Sequence, residues 1–212
     1  MFDSKVHFPL RESKAKRKKY TFKEYLDFEA KSIEKHEFID GKIVKMPYAK
    51  GPHNIIAVNM STVLSNALEL LEKDYVVFGP DQKIYLPSLN VGVYADAFAV
   101  AESPIYFDDD QLLLINPLLV VEVLSKSTSK YDRTGKFDKY KTLDSFREYV
   151  LIRQDEYYAE VWYREKIGYW EKLLSPIFRK TYRCSQLGSK FRWNAFTGTS
   201  IWHIDTIPSH LN

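Results

Sequence analysis

Two apolar runs, each broken by a single acid, constrain this chain more than any other feature. VYADAFAV carries Asp96, and LLVVEVL carries Glu122. Runs of β-branched and aromatic residues bounded by turn residues read as strands in the centre of a sheet. Residues 75–86, 91–101 and 117–124 are expected to supply such strands in succession. An ionised carboxylate buried there is costly unless a cation, a lysine or a metal compensates it. Two such acids on neighbouring strands invite a shared partner. A hard divalent ion such as Mg²⁺ fits, because it takes oxygen ligands and keeps coordinated water, which it can activate against a phosphodiester. The plainer alternative is a buried acid that is protonated or ion-paired.

The rest of the chain frames these strands. Thr21 with Glu24 three residues later marks a helix start, and Tyr25, Leu26 and Phe28 give that helix an apolar face. HEFIDGKIVKM, residues 36–46, reads as a hairpin around Asp40-Gly41. Apolar positions from Ile56 to Leu71 recur at three- and four-residue intervals, predicting a helix over 53–71. Phe137, Tyr140 and Leu143 predict an amphipathic helix over 131–143 that covers the sheet. Beyond it, residues 148–153, 159–164, 169–174 and 180–183 resemble a meander of short strands. These elements predict a central sheet covered by helix and followed by a C-terminal β meander, an α/β class of chain.

With 212 residues, 45% of them hydrophobic, the chain suits one domain with a substantial core. One cysteine, Cys184, excludes an internal disulfide and a multi-cysteine metal site, and points to the cytoplasm. No apolar run reaches the roughly 20 residues that span a bilayer, so no membrane partner is expected. Residues 1–20 hold seven Lys or Arg against Asp3 and Glu12, which leaves 24 basic and 26 acidic residues in the remainder. Residues 1–19 therefore read as a basic flexible arm, either a solubilising tail or a contact for phosphate backbone, and 20–212 as the folded domain. The body is not the strongly basic surface of an obligate nucleic-acid binder.

Several chemistries can be set aside. There is no phosphate-cradling Gly-rich loop and no Gly-x-Ser-x-Gly elbow. His36-Glu37 begins a zinc-protease pattern, but Asp40 stands where its second histidine belongs. Other side chains suit the acids better. Glu37 can add a third carboxylate or be a strand terminus. His53, at the head of the long helix, can meet a phosphate or a metal-bound water, or simply cap the helix. Lys126 lies four residues after Glu122, and Lys136 lies on the following helix, where it can point back over the strand end.

The order and spacing of these features resemble the Uma-two family of restriction endonuclease-like proteins, in the PD-(D/E)XK nuclease superfamily. The resemblance runs from about Tyr20 to Arg164. It rests on YTFKEYL, HEFIDG, His53 opening a helix, Asp96 in a strand, NPLLVVEVLS, then Ser127-Thr128, Tyr131-Asp132-Arg133 and Lys136-Phe137-x-x-Tyr140. It implies a restriction-endonuclease-like core, a central mixed sheet flanked by helices, with a metal-dependent endonuclease site using Mg²⁺, or Mn²⁺, on DNA. Asp96 and Glu122 are then the metal-binding acids and Glu37 an accessory acid. The superfamily's Glu-x-Lys lysine would fall at position 124, which is Leu124 here. Lys136 is the preferred replacement and Lys126 the second choice, with His53 as an accessory group. Ala95 stands where the family usually has proline before the aspartate. A symmetric homodimer would suit cutting two strands. Two further readings compete: a nuclease-fold protein that binds nucleic acid without cutting it, and an assembly protein using Trp162, Tyr163, Tyr169 and Trp170 as an interface.

Overall fold

The computed structural model describes residues 18–69, 74–156, 158–176, 181–183, 190–194 and 203–204. Most of the expected basic arm lies outside them. Helix α1 (Phe22–Glu29) starts as its sequence dictates. The Thr21 hydroxyl accepts the Glu24 N–H at 3.1 Å, and the Glu24 carboxylate accepts the Thr21 N–H at 2.7 Å, closing a capping box. Strands β1 (His36–Ile39) and β2 (Lys42–Lys45) form the expected hairpin. Asp40 and Gly41 have φ of 53° and 77°, the left-handed pair that a tight hairpin turn of matching twist requires. Helix α2 (Gly51–Glu69) follows, starting two residues before the expected position. The expected end of that helix, at 70–71, falls outside the described residues.

Next come β3 (Tyr75–Phe78), β4 (Lys83–Leu86), β5 (Val91–Tyr94), β6 (Ala97–Ala101), β7 (Leu113–Leu114) and β8 (Leu119–Leu124). A helical run, here α3, then joins a turn at Ser129–Tyr131, a π-helical turn at Asp132–Lys136 and a last turn at Phe137–Tyr140. Strands β9 (Glu148–Arg153), β10 (Tyr158–Lys166) and β11 (Tyr169–Pro176) make three of the four strands of the expected meander, while the fourth, at 181–183, joins a separate sheet. Short strands β12 (Thr181–Arg183), β13 (Lys190–Asn194) and β14 (His203–Ile204) pair with one another.

The single central sheet expected from the sequence is two mixed sheets. One has the order β2-β1-β5-β4-β7 and the other β11-β10-β9-β8-β6-β3. Each holds one parallel pair, β4 with β7 and β8 with β9, the second bridged by α3 as a parallel connection needs. Two of the expected strands are broken. Residues 75–86 turn between β3 and β4, which lie in different sheets, and 91–101 breaks at Ala95-Asp96, where the chain leaves the first sheet for the second. The break has a local cause: Asp96 spends its N–H on the Val121 carbonyl at 3.2 Å and a carboxylate oxygen on the Val123 N–H at 2.6 Å.

The two-residue strand period then sorts the side chains. On one face of the larger sheet Ala97, Ala99, Leu119, Val121, Val150 and Ile152 pack under Met60, Val63, Leu64 and Leu68 of α2. On the other face Phe98, Val120, Leu124, Tyr149 and Leu151 meet the smaller sheet and α3 in the larger core. Both faces of β8 are covered, so its six residues are all buried and Glu122 sits among the apolar side chains of the second face. Trp162 and Trp170 pack on Phe137 at ring separations of 5.4 and 5.1 Å, so these two aromatics serve the sheet face. Tyr163 hydrogen-bonds Glu171 across the hairpin, and Tyr169 is exposed.

Burial also captures a lysine. Lys83 is only 6% exposed, its ammonium 4.4 Å from the Tyr25 ring centre and 5.2 Å from that of Tyr94. Burial pushes its pKa down to about 8, against the pull of Glu29 and Asp108. A lysine whose folded pKa lies below its ordinary 10.5 costs stability fully below pH 8, and the cost fades as the pH rises toward 10.5. Lys83→Met, which keeps the stem, is therefore expected to raise stability by on the order of 2–3 kcal/mol at neutral pH. Denaturant melts should show that gain shrinking between pH 8 and 10.5. A gain that stays constant with pH would rule out the buried charge as its source.

Candidate active site

The break at Ala95-Asp96 positions the first acid. Its two bonds go to Val121 and Val123, the residues on either side of Glu122, so Asp96 is seated beside Glu122 on β8. The second Asp96 oxygen lies 2.8 Å from Nε2 of His53, which the first turn of α2 delivers. That hydrogen bond raises the His53 pKa, with burial opposing. These two side chains are 16% and 18% exposed, so the site opens to solvent at this end.

Glu122 lies deeper. One of its oxygens accepts from Nζ of Lys136 at 2.9 Å and from the Tyr140 hydroxyl at 3.0 Å. Burial pushes its carboxyl well above the usual carboxylate range, while Lys136 pulls the other way. Lys136 is held at three points: Glu122, the Tyr94 carbonyl at 2.6 Å, and Glu37 at 3.4 Å. Burial acts to lower its pKa, but Glu122, Glu37 and Asp132 outweigh burial and hold the ammonium well above its ordinary value. Glu37 also accepts the Tyr94 N–H at 3.3 Å, so the last residue of β5 ties strand β1 and helix α3 to the site.

Asp96, Glu122, Glu37, Lys136 and His53 thus converge. Lys126 does not: it is exposed beyond the end of β8, and the cation beside Glu122 is Lys136. The buried-acid alternative also holds for Glu122, which is ion-paired. Sequence reading used Tyr131, Asp132 and Tyr140 only as marks of the family resemblance and gave them no place in the site. Asp132 is 4% exposed, and burial raises its carboxyl pKa against the opposing pull of Lys136. The Tyr131 hydroxyl is buried without a hydrogen-bond partner among the described residues. The spacing of Asp132, Lys136 and Tyr140 at four-residue intervals was the available signal, since it puts all three on one helix face. The π-helical turn between them contains Gly135, where a Cβ would come within 3.1 Å of the Tyr131 ring and press it aside by a few tenths of an ångström.

Among the described residues no group of three or more His, Cys, Asp or Glu forms a ready metal cage. The donors nonetheless fit a hard cation. Mg²⁺ is commonly held by one or two carboxylates with water and substrate phosphate completing its shell, and Asp96 and Glu122 provide two adjacent carboxylates. No helix among the described residues is long and apolar enough to cross a membrane.

Paired sheets with acids and a lysine gathered at a strand break define a protein of nuclease-like fold. The same architecture occurs in a crystal structure described as "a putative nuclease belonging to DUF820" from Anabaena variabilis. The two superpose with a TM-score of 0.58 at 20% identity, over 76% of this chain and 87% of that one. Residues 22–179 match the Uma2 family, described as "Putative restriction endonuclease". Two uncharacterised Synechocystis proteins are 34% identical over 157 residues and 33% identical over 147. The matches cover 74% and 69% of this chain, and 86% and 75% of those proteins. The chain belongs to the Uma2 family.

Proposed function

We propose that this chain is an endonuclease that hydrolyses phosphodiester bonds of DNA, with Asp96 and Glu122 holding a divalent cation, Mg²⁺ or Mn²⁺. The observation that carries the reading is the placement of Asp96 beside Glu122 through Val121 and Val123, with the Lys136 ammonium 2.9 Å from Glu122. When bound, such a cation supplies Lewis acidity and a more acidic water at neutral pH. The remaining roles belong to the chain. Lys136 is fixed by the Tyr94 carbonyl, and its longest contact, 3.4 Å to Glu37, is the donor most readily turned to a phosphate oxygen or to the attacking water. A preorganised cation there stabilises charge that develops on the phosphate without reorganising. His53 holds one Asp96 oxygen and fixes the direction in which that carboxylate points. Glu37 positions Lys136 from β1.

The test is cleavage of supercoiled and linear DNA in Mg²⁺, in Mn²⁺ and in EDTA. Cutting is expected with either metal and none in EDTA. Cutting that persists in EDTA would overturn the metal-assisted reading. Binding in EDTA without cutting under any metal would favour the alternative of a nuclease fold that binds nucleic acid only.

A further inference from the structure

Beyond the acids, the C-terminal ends of β8 and β9 open into a cavity of about 470 Å³. Leu124, which lines it, lies on the same face of β8 as Glu122 and two residues further on, a distance of roughly 7 Å at strand rise. That step is comparable with the step from one phosphate to the next along a nucleic-acid strand. The cavity wall is basic: Lys50, Lys126, Arg133 and Arg153 all face it, with Ser125 and Ser129.

These four cations are not equivalent. Arg133 is engaged by Glu160 at 2.7 Å, and Arg153 by Asp155 at 3.3 Å and Glu156 at 3.0 Å. Asp155, an acid that also lines the cavity, is thereby neutralised from within the protein. Lys50 and Lys126 are exposed and make no ion pair or hydrogen bond through their ammonium groups among the described residues; Lys126 adds only a weaker field, after Arg153, at the Asp155 carboxylate. Two exposed ammonium groups with no ion pair or hydrogen bond of their own, in a lining whose two arginines are already engaged, leave the cavity with positive charge available to an anion. Lys50 directly precedes α2, so the positive end of a 19-residue helix adds to the same field.

We propose that this cavity is a backbone subsite: Lys50 and Lys126 hold the phosphodiester next to the one presented to Asp96 and Glu122. The inference rests on the phosphodiester reading above and names how the strand is laid across the site. It gives Lys126 a role in holding the strand, at a distance from the reacting phosphate. It also accounts for how a chain whose body carries no net positive excess binds a polyanion, because the needed charge is gathered at one place.

Equilibrium binding of a short labelled DNA duplex in EDTA, over a salt titration, tests this without relying on catalysis. Lys50→Ala/Lys126→Ala is expected to weaken binding about tenfold and to make the slope of log K against log salt shallower by roughly 1 to 2. Lys23→Ala/Lys31→Ala, an equal loss of charge on and beside α1, is expected to change neither. Unchanged affinity and slope in the first variant, an equal loss in the second, or no binding by the unaltered protein would each overturn the subsite. A protein that binds through the cavity yet never cuts would remove the hydrolytic reading and leave the subsite standing. A protein that cuts while the cavity variant binds normally would do the reverse.

Discussion

Glu122→Gln is expected to lower DNA cleavage by on the order of a thousandfold while the protein stays folded. The amide keeps the size of the side chain and can still accept from Tyr140 and Lys136, which now meet Oε1 at 3.0 and 2.9 Å. What it loses is the negative charge, and with it one of the two oxygens that would hold a cation. Asp96→Asn should have a comparable effect on rate, because the carboxylate between Val123 and His53 is the other proposed holder. Plasmid cleavage in Mg²⁺, read beside a thermal melt, separates lost chemistry from lost structure. A folded Glu122→Gln protein that cuts at the original rate would exclude Glu122 from the site.

Lys136→Met should act on stability as strongly as Glu122→Gln acts on rate. It removes the cation from a pocket that buries Glu122, Glu37 and Asp132, all under 8% exposed. Breaking a buried pair by deleting one partner costs about 3–5 kcal/mol, because the other charge is left uncompensated. Glu122 can escape part of that cost by taking a proton, since burial already pushes its carboxyl upward. A carboxyl whose folded pKa is raised contributes stability that is full below its ordinary 4.5 and lost as the pH climbs through the folded value. The Lys136→Met deficit should therefore be smaller in acid than at neutral pH in EDTA. Adding Glu122→Leu removes the orphaned acid, and denaturant melts of the double variant should recover much of the loss. A single variant within 1 kcal/mol of the unaltered protein, or a double variant no better than the single, would show that the pair is not coupled.

How much of this was legible beforehand differs from residue to residue. The capping box at Thr21 and Glu24, the Asp40-Gly41 hairpin and the long helix follow from contacts within a few residues, so periodicity and turn chemistry located them. The acids at 96 and 122 stood out because a charge in an apolar run is costly wherever the run folds. The clamp on Lys136 was less visible. Its partners Tyr94, Glu37 and Glu122 come from β5, β1 and β8, and two of the contacts involve a backbone carbonyl or a second-layer acid that no local pattern marks.

Sequence alone therefore determined the local elements, the α/β class and the two anomalous acids, because each depends on residues close in the chain or on the cost of burying charge. Only the tertiary structure decided that 91–101 breaks at Asp96 and divides the strands between two sheets. It also decided that Lys136 and not Lys126 meets Glu122, and that Lys126 faces a basic cavity instead. The reason is register. Which side chains meet across β8 depends on how β6, β9 and α3 pair and pack with it, and those choices are made by long-range hydrogen bonds and core packing outside any sequence window.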